Sequence, residues 1–410
     1  MEQVRDVRID PPGGKRALSN GTTASHRSLL SASPSGSRSL TQPAQTRGID
    51  AVLVLNHLHP DRVSFAADLA AAVGSHLLVI CTSGYQARVL QVLVSRRHRA
   101  PVTHVLALDR PAAMPGPGFA TLTEWGASRL KHRDVAAKRN VGLAVARSMR
   151  WDRILFIDDD VRRVSPAQVH RVGGMLAAPG GTASGGTAGV GWLLGRYPDN
   201  SVVCHARRLA GLPQGVFLGG GALALDVTRP LPMFPPVYNE DWLFLFDLIA
   251  QGQVAVAGSV GQLQFNPYAF PDRAQREEFG DLLAEGLFDL LHAGITDPLV
   301  ADESYWADVI EARARMIRSV RARLHASTGP RASATPAQRR RIAQASRSLA
   351  AAAGVHAERA QLAESLASYV RAWRADLSRW HEWFAALDQV DDVGGAIKLL
   401  NIPAERLTAL

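Results

Sequence analysis

The chain has 410 residues, 47% hydrophobic and 20% charged, with 46 Lys+Arg against 37 Asp+Glu for a formal net charge of +9. That composition excludes a disordered or fibrous chain and leaves ample length for a large core, with two or three units as the length prior. Two cysteines, Cys81 and Cys204, exclude a disulfide scaffold and a four-thiolate zinc site.

Residues 1–48 are rich in Ser, Arg, Gly, Pro and Thr without helical or strand period, which predicts a disordered basic arm. The opening MEQVRDVRID lacks the apolar core of a secretory signal. No run reaches the roughly 18 apolar residues of a membrane span. A reducing, cytoplasmic setting is therefore expected. The positive charge permits phosphate, acidic lipid or nucleic acid as partner, but arginines dispersed along the chain give the same total.

Four short apolar runs, 51–55, 76–81, 102–108 and 153–157, read as buried strands, with helical patterns at 63–73, after Gly84 and around 134–149. Their alternation predicts a mostly parallel sheet with helices on both faces. Ser165-Pro166 reads as an N-cap and first-turn proline for a helix to 177. The glycine-rich stretch 180–191 reads as a flexible loop, without the Gly-Lys-Ser/Thr ending of a phosphate loop. Strand-like pieces follow at 192–194, 201–205 and 222–225, then a helix over 241–250 closed by Gly252. From about 302 the pattern is helical: Trp306, Val309, Arg313, Ile317, Val320 and Leu324 keep a 3–4 spacing. Thr335-Pro336 opens a second helical stretch to about 387. The expected division is the arm (1–48), an α/β domain (49–300) and an all-helical C-terminal region (301–410).

Chemistry concentrates in four places. Asp158-Asp159-Asp160 ends the fourth strand; in extended backbone Asp158 and Asp160 point to one side. Like charges about 4 Å apart repel by roughly 4 kcal/mol at an effective dielectric near 20. Hard carboxylate oxygens suit Mg²⁺ or Mn²⁺ carrying a diphosphate; a solvated acidic turn gives the same triplet. Lys138, Arg139 and Asn140, on the preceding helix, are of the types that contact phosphate, ribose or base, and equally of a solvated basic face. Asn239-Glu240-Asp241-Trp242 opens a helix. There Asn239 suits an N-cap and the two carboxylates suit the helix dipole, or one carboxylate serves as a general base, with Trp242 either facing a sugar ring or in the core. Gly219-Gly220-Gly221 precedes an apolar strand and lets backbone approach a ligand, or forms a plain turn.

The segment KRNVGLAVARSMRWDRILFIDDD (138–160) resembles the nucleotide-binding half of the family 2 glycosyltransferases, which have the GT-A fold, a Rossmann-like α/β architecture. GGGALAL (219–225) and YNEDWLFLFDLIAQG (238–252) resemble their acceptor half. The resemblance spans roughly 50–271 in order and spacing. It implies donor binding by Lys138, Arg139, Asn140, Asp158 and Asp159, and a metal, Mg²⁺ or Mn²⁺, on Asp158 and Asp160. It also implies acceptor contacts at Gly219, Gly220, Gly221 and Trp242, with Asp241, beside Glu240, as the base of inverting transfer. The implied donor is a nucleotide sugar; the acceptor is open among small molecules, glycans and lipid-linked groups.

The sequence departs from the family after the second strand. CTSG (81–84) lacks the usual acid that reads the nucleobase, with Asp109 the substitute, and no third metal ligand is evident, with His292 the candidate. His205 reads as an acceptor-facing residue on a strand or as a structural histidine. Trp373, Leu377, Trp380, Phe384 and Leu387 form one helical stripe, suited to core packing or, with Arg371, Arg374 and Arg379, to peripheral membrane contact. No nucleic-acid partner is expected. A sugar-phosphate nucleotidyltransferase and a non-catalytic binding module of the same fold are the alternatives. The first lacks its glycine-rich basic loop in LNHLHPDR after the first strand, and intact Asp158, Asp160 and Asp241 count against the second.

Overall fold

The computed structural model describes residues 29–30, 48–56, 59–96, 102–108, 114–123, 130–177, 186–195, 201–212, 218–270, 272–327 and 334–409. The expected arm therefore lies outside the described residues except for Leu29, Leu30 and Gly48. Of these, Leu30 is buried in the largest core cluster with Leu29 packed beside it, so the arm is not wholly a solvated tail.

The four apolar runs form β1 (Ala51–Leu55), β2 (His76–Cys81), β3 (Thr103–Ala107) and β4 (Arg153–Asp158). α1 (Ser64–Val73), α2 (Gly84–Ser95), the single turn α3 (Ala120–Thr123) and α4 (Leu130–Ser148) run between them. A two-residue strand, β5 (Val161–Arg162), follows, then α5 (Pro166–Ala177), whose Ser165 and Gln168 cap each other reciprocally. Next come β6 (Gly189–Gly195), α6 (Val202–Leu209), β7 (Leu218–Asp226), α7 (Glu240–Ala250) and β8 (Val254–Gln262). The helical part comprises α8 (Arg273–His292), α9 (Glu303–Ala326), α10 (Pro336–Gly354), α11 (Arg359–Ala385) and α12 (Val393–Leu399), before β9 (Leu407–Ala409).

These nine strands make one sheet, ordered β5-β8-β6-β7-β4-β1-β2-β3-β9. The run β4-β1-β2-β3 is parallel as expected. The β4–β7, β6–β7, β5–β8 and β3–β9 pairings are antiparallel, and β6–β8 is parallel. The sheet is thus mixed, with four parallel and four antiparallel pairings. Alternate residues enter two cores: Leu53, Leu78 and Phe156 join α4, α7, α8 and α11 on one face, while Val52, Val54, Val79 and Ile157 join α1, α2 and α5 on the other.

Three local expectations change. Residues 201–205 are not a strand: Ser201 Oγ accepts from Cys204 N and caps α6, whose apolar side packs with α9 and α10. The stretch 180–191 is in part strand, since β6 begins at Gly189; its earlier residues 180–185 lie outside the described set. Gly219–Gly221 are not a turn but lie buried inside β7.

The C-terminal region is neither all-helical nor set apart. β9 closes the sheet edge beside β3. Asp376 of α11 accepts from Ala120 N, Thr121 N and Thr121 Oγ1 of α3. Trp373, Leu377, Trp380 and Phe384 are buried against the sheet-side core, Leu387 packs on the same cluster, and Trp380 Nε1 donates to Leu231 O. That stripe is core, which overturns the membrane contact expected of it. Among the described residues no helix is long and apolar enough to cross a membrane.

Candidate active site

The site forms where β4, β7 and α7 meet, and Arg139 of α4 is its hub. Its side chain is 3% exposed. Nη2 lies 3.3 Å from Asp158 Oδ1 at the end of β4, while Nη1 lies 3.0 Å from Glu240 Oε1 and 3.9 Å from Asp241 Oδ2 at the start of α7. Phe234 stacks under the guanidinium, 5.3 Å from ring centroid to Cζ. Asp241 Oδ2 also accepts from Gly220 N at 2.7 Å. These contacts explain the glycines inside β7: a Cβ at Gly220 would collide with Arg139 Nη1, and one at Gly221 would stand 2.9 Å from Asp158 Oδ2.

One guanidinium faces three carboxylates, so the cluster carries excess negative charge when all ionise. Burial, helped by Asp241 and Asp158 and opposed by Arg139, pushes the Glu240 carboxyl up to about 8. Burial also raises Asp241, against Arg139 and the Gly220 N–H. For Arg139, burial favours the neutral form, but Asp158, Glu240 and Asp241 outweigh it and raise its pKa. Asp158, its side chain 31% exposed, is the open edge of the cluster. An excess of hard oxygens there can accept a proton or a divalent cation.

The Asp triplet is not one extended segment. Only Asp158 belongs to β4, and Asp159 and Asp160 form the turn into β5, so strand alternation does not govern them. Asp159 Oδ2 accepts from Asn56 Nδ2, and Asp160 Oδ2 accepts from Gln262 Nε2 of β8. Among the described residues no three Asp, Glu, His or Cys side chains stand together as a ready metal cage. Mg²⁺ ordinarily takes one or two carboxylates and completes its shell with substrate phosphate and water, and the donor chemistry of Asp158 and Asp160 fits that arrangement.

Other expected site residues prove structural. Lys138 is buried, its Nζ bound to Asn56 O, Thr82 Oγ1 and Asp134 Oδ2, which ties the ends of β1 and β2 to α4. Asn140 clamps Phe234, donating to its carbonyl and accepting from its N–H, with no exposed edge for a ribose. Trp242 packs on Phe288 at 4.8 Å in the core and offers no open face to a sugar. His205 stands on α6 against Phe265. His292 ends α8 and, among the described residues, joins no group of three that could hold a metal. Asp109 lies outside the described residues.

Asn239 does not cap α7. It adopts the left-handed conformation, φ +62° and ψ 37°, which Asn tolerates better than most residues. Its Nδ2 donates to Asp281 Oδ1 of α8 at 2.9 Å. Asp281 in turn binds Arg313 of α9, which also holds Glu278 through two bonds and Glu285 through one. At Gly280 the neighbouring Tyr238 carbonyl leaves no space for a Cβ. The segment that aims Glu240 and Asp241 is thus fixed by α8 and α9. Asn56, Gln262, Asp281 and Arg313 were not identified as site or support residues from sequence. Only Asn56, just past the first strand, had a signal to find it by.

No family model matches the chain, and no curated protein matches it.

Proposed function

We propose that the chain is a metal-dependent inverting glycosyltransferase that moves a sugar from a nucleotide-diphosphate donor to an acceptor hydroxyl or similar nucleophile. The observation that supports this best is the meeting of Asp158, Glu240 and Asp241 on Arg139 over two strand glycines, at the carboxyl end of β4, where open α/β sheets bind ligands. A purely structural ion pair needs no strand cleared of side chains beside it.

Asp241 takes the proton of the attacking acceptor. Its raised pKa improves it as a base, and the Gly220 N–H fixes the orientation of its carboxylate. The acceptor oxygen forms the new bond to the anomeric carbon while the bond from that carbon to the diphosphate oxygen breaks, and the electron pair leaves with the diphosphate. Asp158 and Asp160 would hold Mg²⁺ or Mn²⁺, which supplies charge neutralisation to the leaving diphosphate. Arg139 keeps Asp158 and the Glu240–Asp241 pair in one place, and burial shifts the Glu240 carboxyl towards its neutral form.

The test is turnover of a nucleotide-sugar panel with Mn²⁺ present, measured as donor hydrolysis until an acceptor is found. Asp241→Asn should retain donor affinity and lose a factor of roughly 10²–10⁴ in transfer, while Glu240→Gln should lose far less. Equal transfer by wild type and Asp241→Asn would remove Asp241 from the chemistry.

A further inference from the structure

The positive charge of this chain is not dispersed. Residues 312–357 contain ten arginines and no Asp or Glu, against +9 for the whole chain, so everything outside that window sums to −1. The window covers the last part of α9, all of α10 and the link between them, whose residues 328–333, with Arg331, lie outside the described residues. Arg313 is buried and spent on Glu278, Asp281 and Glu285, and Arg315 and Arg318 pair with Glu311 of α9. Arg323, Arg339, Arg340, Arg341 and Arg347 are exposed. On α10 the apolar side, Ile342, Ala345 and Leu349, packs inward with α6 and α9, which leaves Arg340 and Arg347, two turns apart, on the outer side.

This basic face continues towards the candidate site. Arg208 on α6 is exposed. α6, which carries Arg208 and His205, packs against α10. Phe265 meets both His205 and Arg273 there. Phe265 is three residues beyond Gln262, whose amide binds Asp160, so this connection runs from the Asp turn to α6 in at most about 10 Å of chain. The same connection carries two exposed apolar side chains, Leu263 at 37% and Phe270 at 62%. Arginines beside exposed apolar residues on a helical face match the chemistry of a bilayer interface, where headgroup charge and the acyl boundary are met together.

We propose that the outer face of α9 and α10, with Arg208 and the exposed Phe270 and Leu263 at its edge, docks this chain onto an anionic membrane surface. The docking holds the Asp158–Asp241 site at the headgroup layer and stands whether or not that site transfers sugar.

Flotation of the full chain with vesicles tests it. Equimolar phosphatidylglycerol and phosphatidylcholine should carry the protein and phosphatidylcholine alone should not, with binding weakening as salt is added. Arg339→Gln/Arg340→Gln/Arg341→Gln should lose roughly 100-fold in partitioning, at the usual worth of an arginine near an anionic leaflet. The corresponding triple Lys variant should retain binding. Phe270→Ser should weaken it, and Arg88→Gln/Arg96→Gln, at exposed positions on α2 and just past its end, should leave it unchanged. All variants carry changes at exposed positions, and melting temperature verifies their folding. No binding to anionic vesicles, equal binding to neutral ones, or a triple Gln variant that binds as wild type would overturn the proposal. Displacement from the vesicles by RNA at matched phosphate concentration would overturn it too, and assign the face to nucleic acid.

Discussion

Two buried arginines in this protein each face three carboxylates, and they do different things with them. Arg313 is saturated: its contacts to Glu278, Asp281 and Glu285 run from 2.6 to 3.0 Å, and His356 Nε2 shares Glu278 at 2.9 Å. Burial alone would raise Glu278, but Arg313 and His356 hold its carboxyl below the usual range. Arg139 is looser, with contacts from 3.0 to 3.9 Å, an Asp158 that faces solvent, and a neighbouring strand stripped of side chains. The same charge ratio is closed in one place and open in the other. Closed, it cements α8 to α9; open, it retains acceptor capacity for a ligand. Asn239 joins the two, since it binds Asp281 of the first cluster and immediately precedes Glu240 of the second.

Removing each arginine should separate the two roles. Arg313→Met leaves Glu278, Asp281 and Glu285 uncompensated and should cost about 3–5 kcal/mol in denaturant unfolding, the usual result of breaking a buried pair from one side. Arg139→Met should cost less, about 1–3 kcal/mol, because its contacts to the three carboxylates are longer and fewer hydrogen bonds are lost. Equal losses would erase the distinction between a closed and an open cluster.

A smaller effect tests why β7 carries glycines. Gly220→Ala drives a methyl into Arg139 and should destabilise by about 1–3 kcal/mol, as overpacking does, and should impair donor binding. Gly189→Ala in the neighbouring β6 meets Leu225 Cδ2 at an ordinary 3.4 Å, and should be close to neutral on the same denaturation curves.

The finest test uses pH. The Glu240 pKa is raised to about 8 by burial, so its contribution to stability is complete below the ordinary value near 4.5 and is lost as pH rises through about 8. Asp281, raised to about 8 chiefly by burial, acts with the same sign. Wild-type stability should therefore decline across that window. Glu240→Gln, neutral throughout, should decline less steeply in unfolding measured on either side of it. Parallel curves would show that Glu240 ionises normally in the fold.

The parallel half of the sheet was legible because β1 to β4 are buried on both faces and read as unbroken apolar runs. Glycines 219–221 were legible as glycines but not as strand, since what excludes their side chains is Arg139 and Asp158, far away in sequence. The helix α8 left no periodic signal because Glu277, Glu278 and Asp281, all buried on it, interrupt its apolar stripe. Val202-Val203-Cys204 has the composition of a strand, but the Ser201 cap and packing against α8, α9 and α10 decide for helix. Arg139, Asp158 and Asp241 were visible as motif residues. That Asn140, Lys138 and Trp242 are consumed by the scaffold was not, because their partners Phe234, Thr82 and Phe288 are brought to them only by the fold.

The open-cluster account is tested most directly by calorimetric titration of nucleoside diphosphates into the full chain, with and without Mn²⁺. Binding should require the metal in wild type, survive in Asp241→Asn, and disappear in Asp158→Asn and Asp160→Asn, with all four proteins melting alike. Metal-independent binding, or binding by Asp158→Asn and Asp160→Asn as tight as wild type, would contradict it and return Asp158 to the role of a plain partner for Arg139.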